Sequence, residues 1–240
     1  MTELLFLTDS YVKTFNARVT DVDEAERAVC LDRTAFYPGG GGQPHDVGQL
    51  VVDDHTLPVT RVKRRGQQVW HWVEGPPPTV GTTVTGQLDW LRRYQLMRTH
   101  TALHVVCGVV WRDYRALVTG SHMEPLRGRL DFEFEGLRRE LIDEIERNVN
   151  AEIERGRQVR VKILPRAEAF QIPDLIRTKV NLLPEDITEV RVVDIVGLDL
   201  QADGGTHVAN TREVGRVRIA DYRSKGRINK RIYIELDEEP

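Results

Sequence analysis

Two pairs of residues in this sequence have the types and spacing of metal ligands. His100 and His104 lie four residues apart in RTHTALH. Asp203 and His207 lie four residues apart in DGGTH. On a helix, this spacing puts two imidazoles on one face, about one turn apart. In DGGTH the glycines allow a tight turn that brings the ends together. Each pair alone is weak evidence, but together they offer the four nitrogen and oxygen ligands of a tetrahedral Zn²⁺ site.

Cys107 lies on the same helical face as this histidine pair, three residues after His104. As a thiolate ligand, it would require one ion to reach three successive turns of a single helix. A lone cysteine is more often a small buried apolar residue, so we expect Cys107 to lie in the core. The remaining histidines have no partner at ligand spacing and are expected to have surface or core roles; they are His45, His55, His71 and His122.

The histidine pair lies in a segment that favours one long helix. DWLRRYQLMRTHTALHVVCGVVWRDY has no proline, repeats apolar residues with a helical period and begins with Asp89, a good N-cap. Before it, turn residues separate short strand-like runs, as is typical of a small barrel or sandwich. These runs are NARVTDV, RAVCLD, GQLVVDD, LPVTRVK, QQVWHWV and TTVTGQL. We therefore predict a β-barrel-like domain over residues 1–88 and a second domain over residues 89–240.

The second domain mixes strands and helices. ALVTGSHM and GRLDFEF are expected to pair as strands, and further strands are predicted at QVRVKIL, TEVRVVDIV, VGRVRIADY and KRIYIEL. Apolar residues at four-residue spacing predict an amphipathic helix that ends at Gly156; they are Leu137, Leu141, Ile145, Val149 and Ile153. The predicted fold class is α+β, with an N-terminal small β-barrel-like domain followed by a domain whose helices pack on a mainly antiparallel sheet.

The composition is that of an ordinary globular protein. The chain has 240 residues, of which 40% are hydrophobic and 30% charged, and a net charge of −3. Any surface for nucleic acid must therefore be local. Cys30 and Cys107 are the two cysteines and form no CxxC motif, which favours reduced thiols. The start lacks the pattern of a signal peptide and no run approaches the roughly 18 apolar residues of a membrane span, so we expect a cytoplasmic protein without a membrane partner.

A glycine run is the third unusual feature. In AFYPGGGGQPHDVGQL, four glycines follow a proline, so their backbone N–H groups are unobstructed. Such a loop can hold a phosphate or let the end of a polymer approach the backbone. The alternative is an ordinary long hairpin loop. The run is not a P-loop, since no Lys-Ser or Lys-Thr follows it, and it is not a dinucleotide fingerprint, since no βαβ unit surrounds it.

Four segments in this order resemble the editing domain of alanyl-tRNA synthetase and its freestanding relatives, the AlaX family. They are RTAFYPGGGGQPHDVG, RTHTALH, DGGTHVANTREVG and SKGRINKRIYIEL, and they extend from about Arg33 to Leu236. The glycine-rich N-terminal part is similar to the medium-length AlaX type. The resemblance implies a trans-editing hydrolase for tRNA(Ala) mischarged with serine or glycine. It also implies translation fidelity as the role, with tRNA as the partner of a monomer or homodimer.

The resemblance implies one Zn²⁺ per chain. The family holds it with an HxxxH pair, a cysteine and a further histidine, which match His100, His104 and His207. Asp203 stands where the family usually has the cysteine. A carboxylate is an acceptable but harder zinc ligand than a thiolate. Asp203 is therefore expected either to coordinate the ion directly or to hold a water on a site with three histidines.

The resemblance also directs the search for catalytic residues. Gln43 matches a glutamine of the family's editing site and is expected to orient the water or to donate to the tetrahedral oxyanion. Thr119 and Ser121, in LVTGSH, are candidate hydroxyls for binding the side chain of serine. The alternatives are a loop-closing hydrogen bond for Gln43 and strand-end hydroxyls that make turn bonds.

Positive charge near phosphates is needed to bind tRNA. SKGRINKR resembles a family motif near the editing pocket, so Lys225, Arg227 and Arg231 are the predicted contacts, together with the loop glycines Gly40, Gly41 and Gly42. The run RVKRR is a second candidate, although a short basic run is usually a solvated face. Arg92 and Arg93 could face either way, and Asp46 is expected to cap the turn of the following strand.

Two other functions remain open from the sequence. The chain could be a non-catalytic, metal-stabilised tRNA-binding module in which Asp203 marks a lapsed site. It could also edit another mischarged tRNA, since threonyl-tRNA synthetases carry a related domain. The sequence argues against a metalloprotease, because HTALH lacks the glutamate of HExxH that serves as the base.

Overall fold

The computed structural model of the chain describes residues 1–134, 136, 138–176 and 187–240. Contacts between backbone positions divide the chain into an N-terminal unit, Met1–Gln95, and a C-terminal unit, Leu96–Pro240. The division falls within the long helix that the sequence predicts, whereas the predicted domain boundary lies at the start of that helix. Among the described residues, no helix combines the length and the apolar character that crossing a membrane would require.

A closed six-stranded barrel forms the N-terminal unit. Its strands follow the order β2-β3-β7-β6-β5-β8, and each neighbouring pair is antiparallel. The strands of this unit are β1 (Glu3–Leu4), β2 (Thr14–Asp23), β3 (Ala28–Leu31), β4 (Arg33–Thr34), β5 (Gly48–Val52), β6 (His55–Arg65), β7 (Gln68–Val73) and β8 (Thr83–Leu88). A 3-10 helix, Leu5–Leu7, follows β1, which pairs with β4 in parallel. All six predicted strand runs and the barrel are confirmed.

Alternating side chains fill the barrel. Along β7, Val69, His71 and Val73 are buried inside it, because successive residues of a strand point to opposite faces. One strand position must stay small: a Cβ at Gly86 would lie 2.4 Å from the ring of Phe15. The barrel therefore depends on an aromatic ring packed over a residue without a side chain.

His71 is a core histidine, which is one of the two roles that the sequence left open for it. Its Nε2 lies 2.9 Å from the Thr34 hydroxyl, and its Nδ1 lies 3.3 Å from the carbonyl oxygen of Val29. Since a carbonyl only accepts, Nδ1 carries the proton and Nε2 accepts from Thr34. Burial lowers the pKa of His71 to about 4, so this imidazole is neutral at neutral pH.

The second part of the chain begins with a helix of seven turns. Helix α1 spans Trp90–Tyr114, and the backbone N–H of Arg92 donates to the Asp89 carboxylate over 3.1 Å, which confirms the predicted N-cap. The elements that follow are β9 (Val118–Glu124), β10 (Arg127–Glu133), α2 (Arg139–Glu154), β11 (Val159–Pro165), α3 (Arg166–Ala169), β12 (Glu189–Ile195), β13 (Asp199–Ala202), a 3-10 helix (Thr211–Val214), β14 (Val217–Ser224) and β15 (Asn229–Leu236).

These strands form two antiparallel sheets. One has the order β14-β15-β10-β9 and the other the order β11-β12-β13. The α+β class and the antiparallel pairing are confirmed, but the strands divide between two sheets where one was expected. Strand β13 has no counterpart among the predicted strands. Its sequence, DLQA, is too short and too polar to give a strand signal by itself.

Helix α2 is the predicted amphipathic helix, with its buried stripe slightly rotated. Ile142, Ile145, Val149 and Ile153 are buried, while Leu141 is only half-buried. Leu137, the first predicted member of the stripe, lies outside the described residues. The helix stops at the predicted place because Gly156 has a φ of +66°, a conformation that glycine adopts readily after a helix end.

Candidate metal centre

The three predicted histidine ligands lie against one another in the C-terminal unit. Residues 100 and 104 face the same side of α1, and the centroids of their rings are 5.1 Å apart. The ring of His207 lies 4.2 Å from that of His100 and 4.8 Å from that of His104. All three side chains are buried. The histidine pair of the helix and the histidine of the loop therefore meet at one point inside the unit.

Asp203 completes the group. Its Oδ2 lies 3.0 Å from Nε2 of His207, and its Oδ1 lies 3.5 Å from Nε2 of His100. One ligand atom from each of the four residues can be chosen so that all lie within 4.8 Å of one another. Cys107 is buried and is not part of this group, as expected. The donor set is three nitrogens and one oxygen, which suits a tetrahedral divalent cation.

The DGGTH turn forms differently from the expectation. Neither Gly204 nor Gly205 has a positive φ, so the turn does not use the left-handed region. Instead, the backbone N–H of Gly205 donates to the Asp203 carboxylate over 2.7 Å, which closes an Asx turn. A Cβ at Gly204 would meet nothing within 4 Å. The aspartate itself therefore shapes the loop in which it is a predicted ligand.

Burial and charge set the protonation of the group. Burial lowers the pKa of His207 to about 4 and the pKa of His100 well below its ordinary value of 6.5. Burial disfavours the ionised form of Asp203, but the surrounding histidines, His100 first, hold the pKa of this carboxyl well below its usual range. Burial disfavours the charged form of His104, but the hydrogen bond to Asp199 and the negative charges of Asp199 and Asp203 together raise the pKa of this imidazole above its ordinary value. Free nitrogen lone pairs beside a carboxylate are what a divalent cation requires.

Three residues around the group carry no spacing signal in the sequence and were not predicted. Nδ1 of His104 lies 3.0 Å from Oδ2 of Asp199, and Nδ1 of His207 lies 3.2 Å from the Thr101 hydroxyl. Arg191, on β12, donates to the carbonyl oxygen of Asp203 over 2.9 Å, and its Nη1 lies 3.7 Å from that residue's Oδ2. Each of these contacts joins residues that only the folded chain brings together: the partners are 95, 106 and 12 positions apart in the sequence.

The glycine run forms a tight loop in the N-terminal unit. Gly40 and Gln43 exchange backbone hydrogen bonds of 3.0 and 2.9 Å. Gly40, Gly41 and Gly42 all have positive φ, so side chains would strain this turn. Gly40 and Gly41 are exposed, whereas Gln43 is buried. The RNA-binding role of the glycines and the catalytic role of Gln43 stay predictions.

A buried ion pair holds the base of this loop, and here the expectation for Asp46 is wrong. Asp46 does not cap a strand turn; its carboxylate accepts from Nε of Arg93 over 3.1 Å and from the backbone N–H of Tyr37 over 2.6 Å. Arg93 is fully buried and also donates to the carbonyl oxygens of Ser10 and Ala35. Arg93 therefore faces inward and is structural, not a contact for RNA.

The two candidate hydroxyls lie on β9, at the edge of the four-stranded sheet. Thr119 is exposed and donates to the side-chain oxygen of Asn229 over 3.3 Å. Ser121 is exposed and is paired in register with Leu130, so both point to the same face of the sheet. The role of Thr119 or Ser121 in binding the side chain of serine stays a prediction.

The predicted RNA-contact cations differ in their surroundings. Arg231 is only 15% exposed and donates twice to Asp131, over 2.5 and 2.7 Å, so its charge is largely neutralised. Lys225 and Arg227 are exposed in the hairpin between β14 and β15. The buried Lys230 shapes that hairpin by donating to its carbonyl oxygens, those of Gly226 and Arg227. Lys225 and Arg227 are thus the more available cations of this motif.

Sequence comparison adds an independent finding. The model of a family described as tRNA synthetases class II (A) matches residues 6–92, and that of the threonyl and alanyl tRNA synthetase second additional domain matches residues 190–233. The chain is 39% identical over 236 residues to the alanyl-tRNA editing protein AlaX-M of Saccharolobus solfataricus, an alignment that covers 97% of this chain and 98% of that protein. A protein of the same name from Methanosarcina mazei is 37% identical over 244 residues, with coverages of 98% and 97%.

A synthetase is also similar. The alanine–tRNA ligase of Pyrococcus furiosus is 40% identical over 222 residues, which is 91% of this chain but 24% of the ligase.

Proposed function

This chain belongs to the family of AlaX-M alanyl-tRNA editing proteins, and from that membership we propose that it removes wrongly attached amino acids from alanine tRNA. The proposed reaction is hydrolysis of the ester that joins the amino acid to the 3′ end of the tRNA. The proposed substrates are tRNA(Ala) charged with serine or with glycine. A pocket for a methyl group rejects an isostere with an added hydroxyl only about a hundredfold, so a second hydrolytic site is needed to correct the error.

One observation supports this proposal most: four residues with the chemistry of metal ligands are gathered in the interior of the C-terminal unit. We propose that His100, His104, Asp203 and His207 hold one Zn²⁺ per chain, with direct coordination by Asp203. When bound, the ion supplies positive charge that polarises an ester carbonyl or makes a water molecule more acidic. Because a carboxylate donates less charge than a thiolate, this donor set would leave the ion more Lewis acidic.

The remaining chemistry is assigned to side chains of the chain itself. Gln43 is proposed to orient the attacking water or to donate to the oxyanion. Ser121 or Thr119 is proposed to bind the hydroxyl of a mischarged serine. A polar partner left unmade in a desolvated site costs about 1–3 kcal/mol, which would disfavour alanine. Both hydroxyls are exposed, so the bound tRNA end would have to exclude the water.

The tRNA contacts are proposed from charge and backbone access. Lys225 and Arg227 are exposed cations suited to phosphates, and Arg231 is a weaker candidate because Asp131 already neutralises it. The open backbone of Gly40, Gly41 and Gly42 is proposed to approach the RNA.

Metal content and deacylation, measured on the same preparations, test this proposal. The wild type should contain about one zinc per chain and should hydrolyse Ser-tRNA(Ala) or Gly-tRNA(Ala) much faster than Ala-tRNA(Ala). Asp203→Ala should lose both the metal and the activity. The exposed aspartate variant Asp54→Ala is the matched control and should keep both. Retained metal with a lost rate would show that Asp203 acts through a water instead.

Two outcomes would favour another function. A wild type that holds zinc and binds tRNA(Ala) but hydrolyses none of these substrates would indicate a non-catalytic RNA-binding module. Hydrolysis of a mischarged tRNA other than tRNA(Ala), with no activity on Ser-tRNA(Ala), would indicate a different editing specificity. The family model shared by threonyl and alanyl synthetases makes mischarged tRNA(Thr) the first alternative substrate to test.

A further inference from the structure

A glycine in the middle of α1 marks an unusually close contact. Gly108 lies one turn after His104, and a Cβ there would lie 3.0 Å from Cβ of Asp199 and 2.9 Å from Cγ of Leu198. Glycine is a poor residue for a helix interior. Here it leaves room for the chain at the start of β13 to lie directly against the helix. Asp199 can therefore reach a ligand histidine from a different element.

Asp199 holds one ring by its far nitrogen. Its buried carboxylate accepts from Nδ1 of His104 over 3.0 Å, and the same oxygen, Oδ2, accepts from the side-chain amide of Gln201 over 2.8 Å. A carboxylate acceptor fixes the proton on Nδ1 and leaves the Nε2 lone pair for a metal. Gln201 in turn limits the rotation of the carboxylate.

Thr101 holds a second ring in the same way. Its hydroxyl donates to the carbonyl oxygen of Met97 over 2.9 Å and accepts from the backbone N–H of Val208 over 3.2 Å. A hydroxyl has one proton, and here that proton is already donated. The Thr101 oxygen, 3.2 Å from Nδ1 of His207, is therefore an acceptor, and Nδ1 of His207 carries the hydrogen. Nε2 of His207, on the side of Asp203, is left as the ligand atom.

We propose that Asp199 and Thr101 are positioning residues of the metal centre, and that Gly108 is the packing feature that admits Asp199. They act through His104 and His207, fixing which ring nitrogen faces the ion and in which orientation. This inference rests on the metal binding proposed above. It adds that the affinity of the centre is set by residues of α1 and β13 that touch no metal.

Zinc affinity of the full-length chain tests this, measured by competition with a chromophoric chelator. Asp199→Ala should weaken Zn²⁺ binding by about 10- to 100-fold, and Asp199→Asn, which keeps an acceptor oxygen but loses the charge, should weaken it less. Thr101→Val should weaken it by about 10-fold, and Thr101→Ser should restore it. The absorption spectrum of the Co²⁺-loaded variants should report an altered ligand field.

Gly108→Ala separates positioning from folding. Alanine favours the helix more than glycine does, so helix propensity alone predicts no loss. The close approach of Asp199 predicts weaker Zn²⁺ binding, by about 10-fold, with normal circular dichroism. Gly136→Ala, where a Cβ would meet nothing within 4 Å, is the control and should bind zinc like the wild type.

The outcomes distinguish this inference from the function it rests on. Wild-type zinc binding that is unchanged in the Asp199, Thr101 and Gly108 variants would overturn the inference and leave the editing function standing. A wild type that binds no zinc would overturn both. Weaker binding in these variants, together with rescue by Thr101→Ser, would support the inference whichever mischarged tRNA is the substrate.

Discussion

The buried pair of Arg93 and Asp46 allows a sharp prediction about stability. Their side chains are 0% and 1% exposed, so solvent does not screen the interaction. Replacing Arg93 by methionine leaves the Asp46 carboxylate buried with one remaining hydrogen bond, from the backbone N–H of Tyr37. Removing one partner of such a pair costs about 3–5 kcal/mol, because the other charge is left uncompensated.

Two carbonyl oxygens would also lose their donor. The Arg93 guanidinium donates to the carbonyl oxygens of Ser10 and Ala35, over 2.9 and 2.5 Å. The surviving bond from Tyr37 offsets part of the loss, so we expect Arg93→Met to lower the free energy of unfolding by about 4 kcal/mol. That is a large part of the roughly 5–15 kcal/mol that keeps an ordinary domain folded.

Urea denaturation followed by tryptophan fluorescence measures this change. Arg92→Met is the matched control, since the neighbouring arginine is half-buried and makes only a 3.4 Å bond to the carbonyl oxygen of His45; it should cost less than about 1 kcal/mol. The double variant Arg93→Met with Asp46→Leu leaves no buried charge. It should be less destabilised than Arg93→Met alone.

Two results would refute this reasoning. One is a loss below about 1 kcal/mol in Arg93→Met at an unchanged denaturant slope, which would mean that the pair contributes little. The other is a double variant whose loss of unfolding free energy equals the sum of the losses in the two single variants, which would mean that the two charges are not coupled.

Three further predictions concern the barrel and the RNA contacts. The pKa of His71 is about 4 in the folded chain and 6.5 in the unfolded chain, so between pH 4 and pH 6.5 this imidazole takes up a proton only when the chain unfolds. The free energy of unfolding should therefore fall by about 3 kcal/mol from neutral pH to pH 4. In His71→Gln, the urea midpoint should fall less steeply over this pH range. If Lys225 and Arg227 contact phosphates, replacing either of them by alanine should reduce the slope of log binding constant against log salt concentration by about 1 in filter binding to tRNA(Ala). An unchanged slope would show that the replaced residue does not contact the RNA. Gly86→Ala should destabilise the barrel by about 1–3 kcal/mol in urea melts, and Phe15→Leu should partly rescue it, because the added Cβ lies 2.4 Å from that ring.

Local patterns predict most of the secondary structure because the signals are themselves local. Alternation with a period of two is enough to place the six barrel strands, and an aspartate before an apolar helical period is enough to start α1 at Trp90. For α2, the sequence predicts the helix correctly but assigns Leu141 to its buried stripe, whereas the structure buries Ile142 there. A helix repeats every 3.6 residues, so a strict four-residue spacing drifts off the buried face.

The family and the ligand types were also available from the sequence. Four ordered segments indicate an AlaX protein, and the comparisons confirm the family. The two ligand pairs follow from residue type and spacing within short segments. Their convergence does not, because α1 and the loop at Asp203 are about a hundred residues apart in the chain and spacing carries no information about distance across the fold.

The tertiary structure alone decided how the centre and the glycine loop are supported. Asp199 reaches His104 across 95 positions of sequence, and Asp46 reaches Arg93 across 47. Nothing in the sequence around Asp46 distinguishes a buried ion-pair partner from a turn cap, and nothing around Gly108 distinguishes a close contact from a weak point in a helix. Composition and periodicity report which face of an element is apolar, whereas a contact between two polar groups depends on how separate elements pack, which only the folded chain determines.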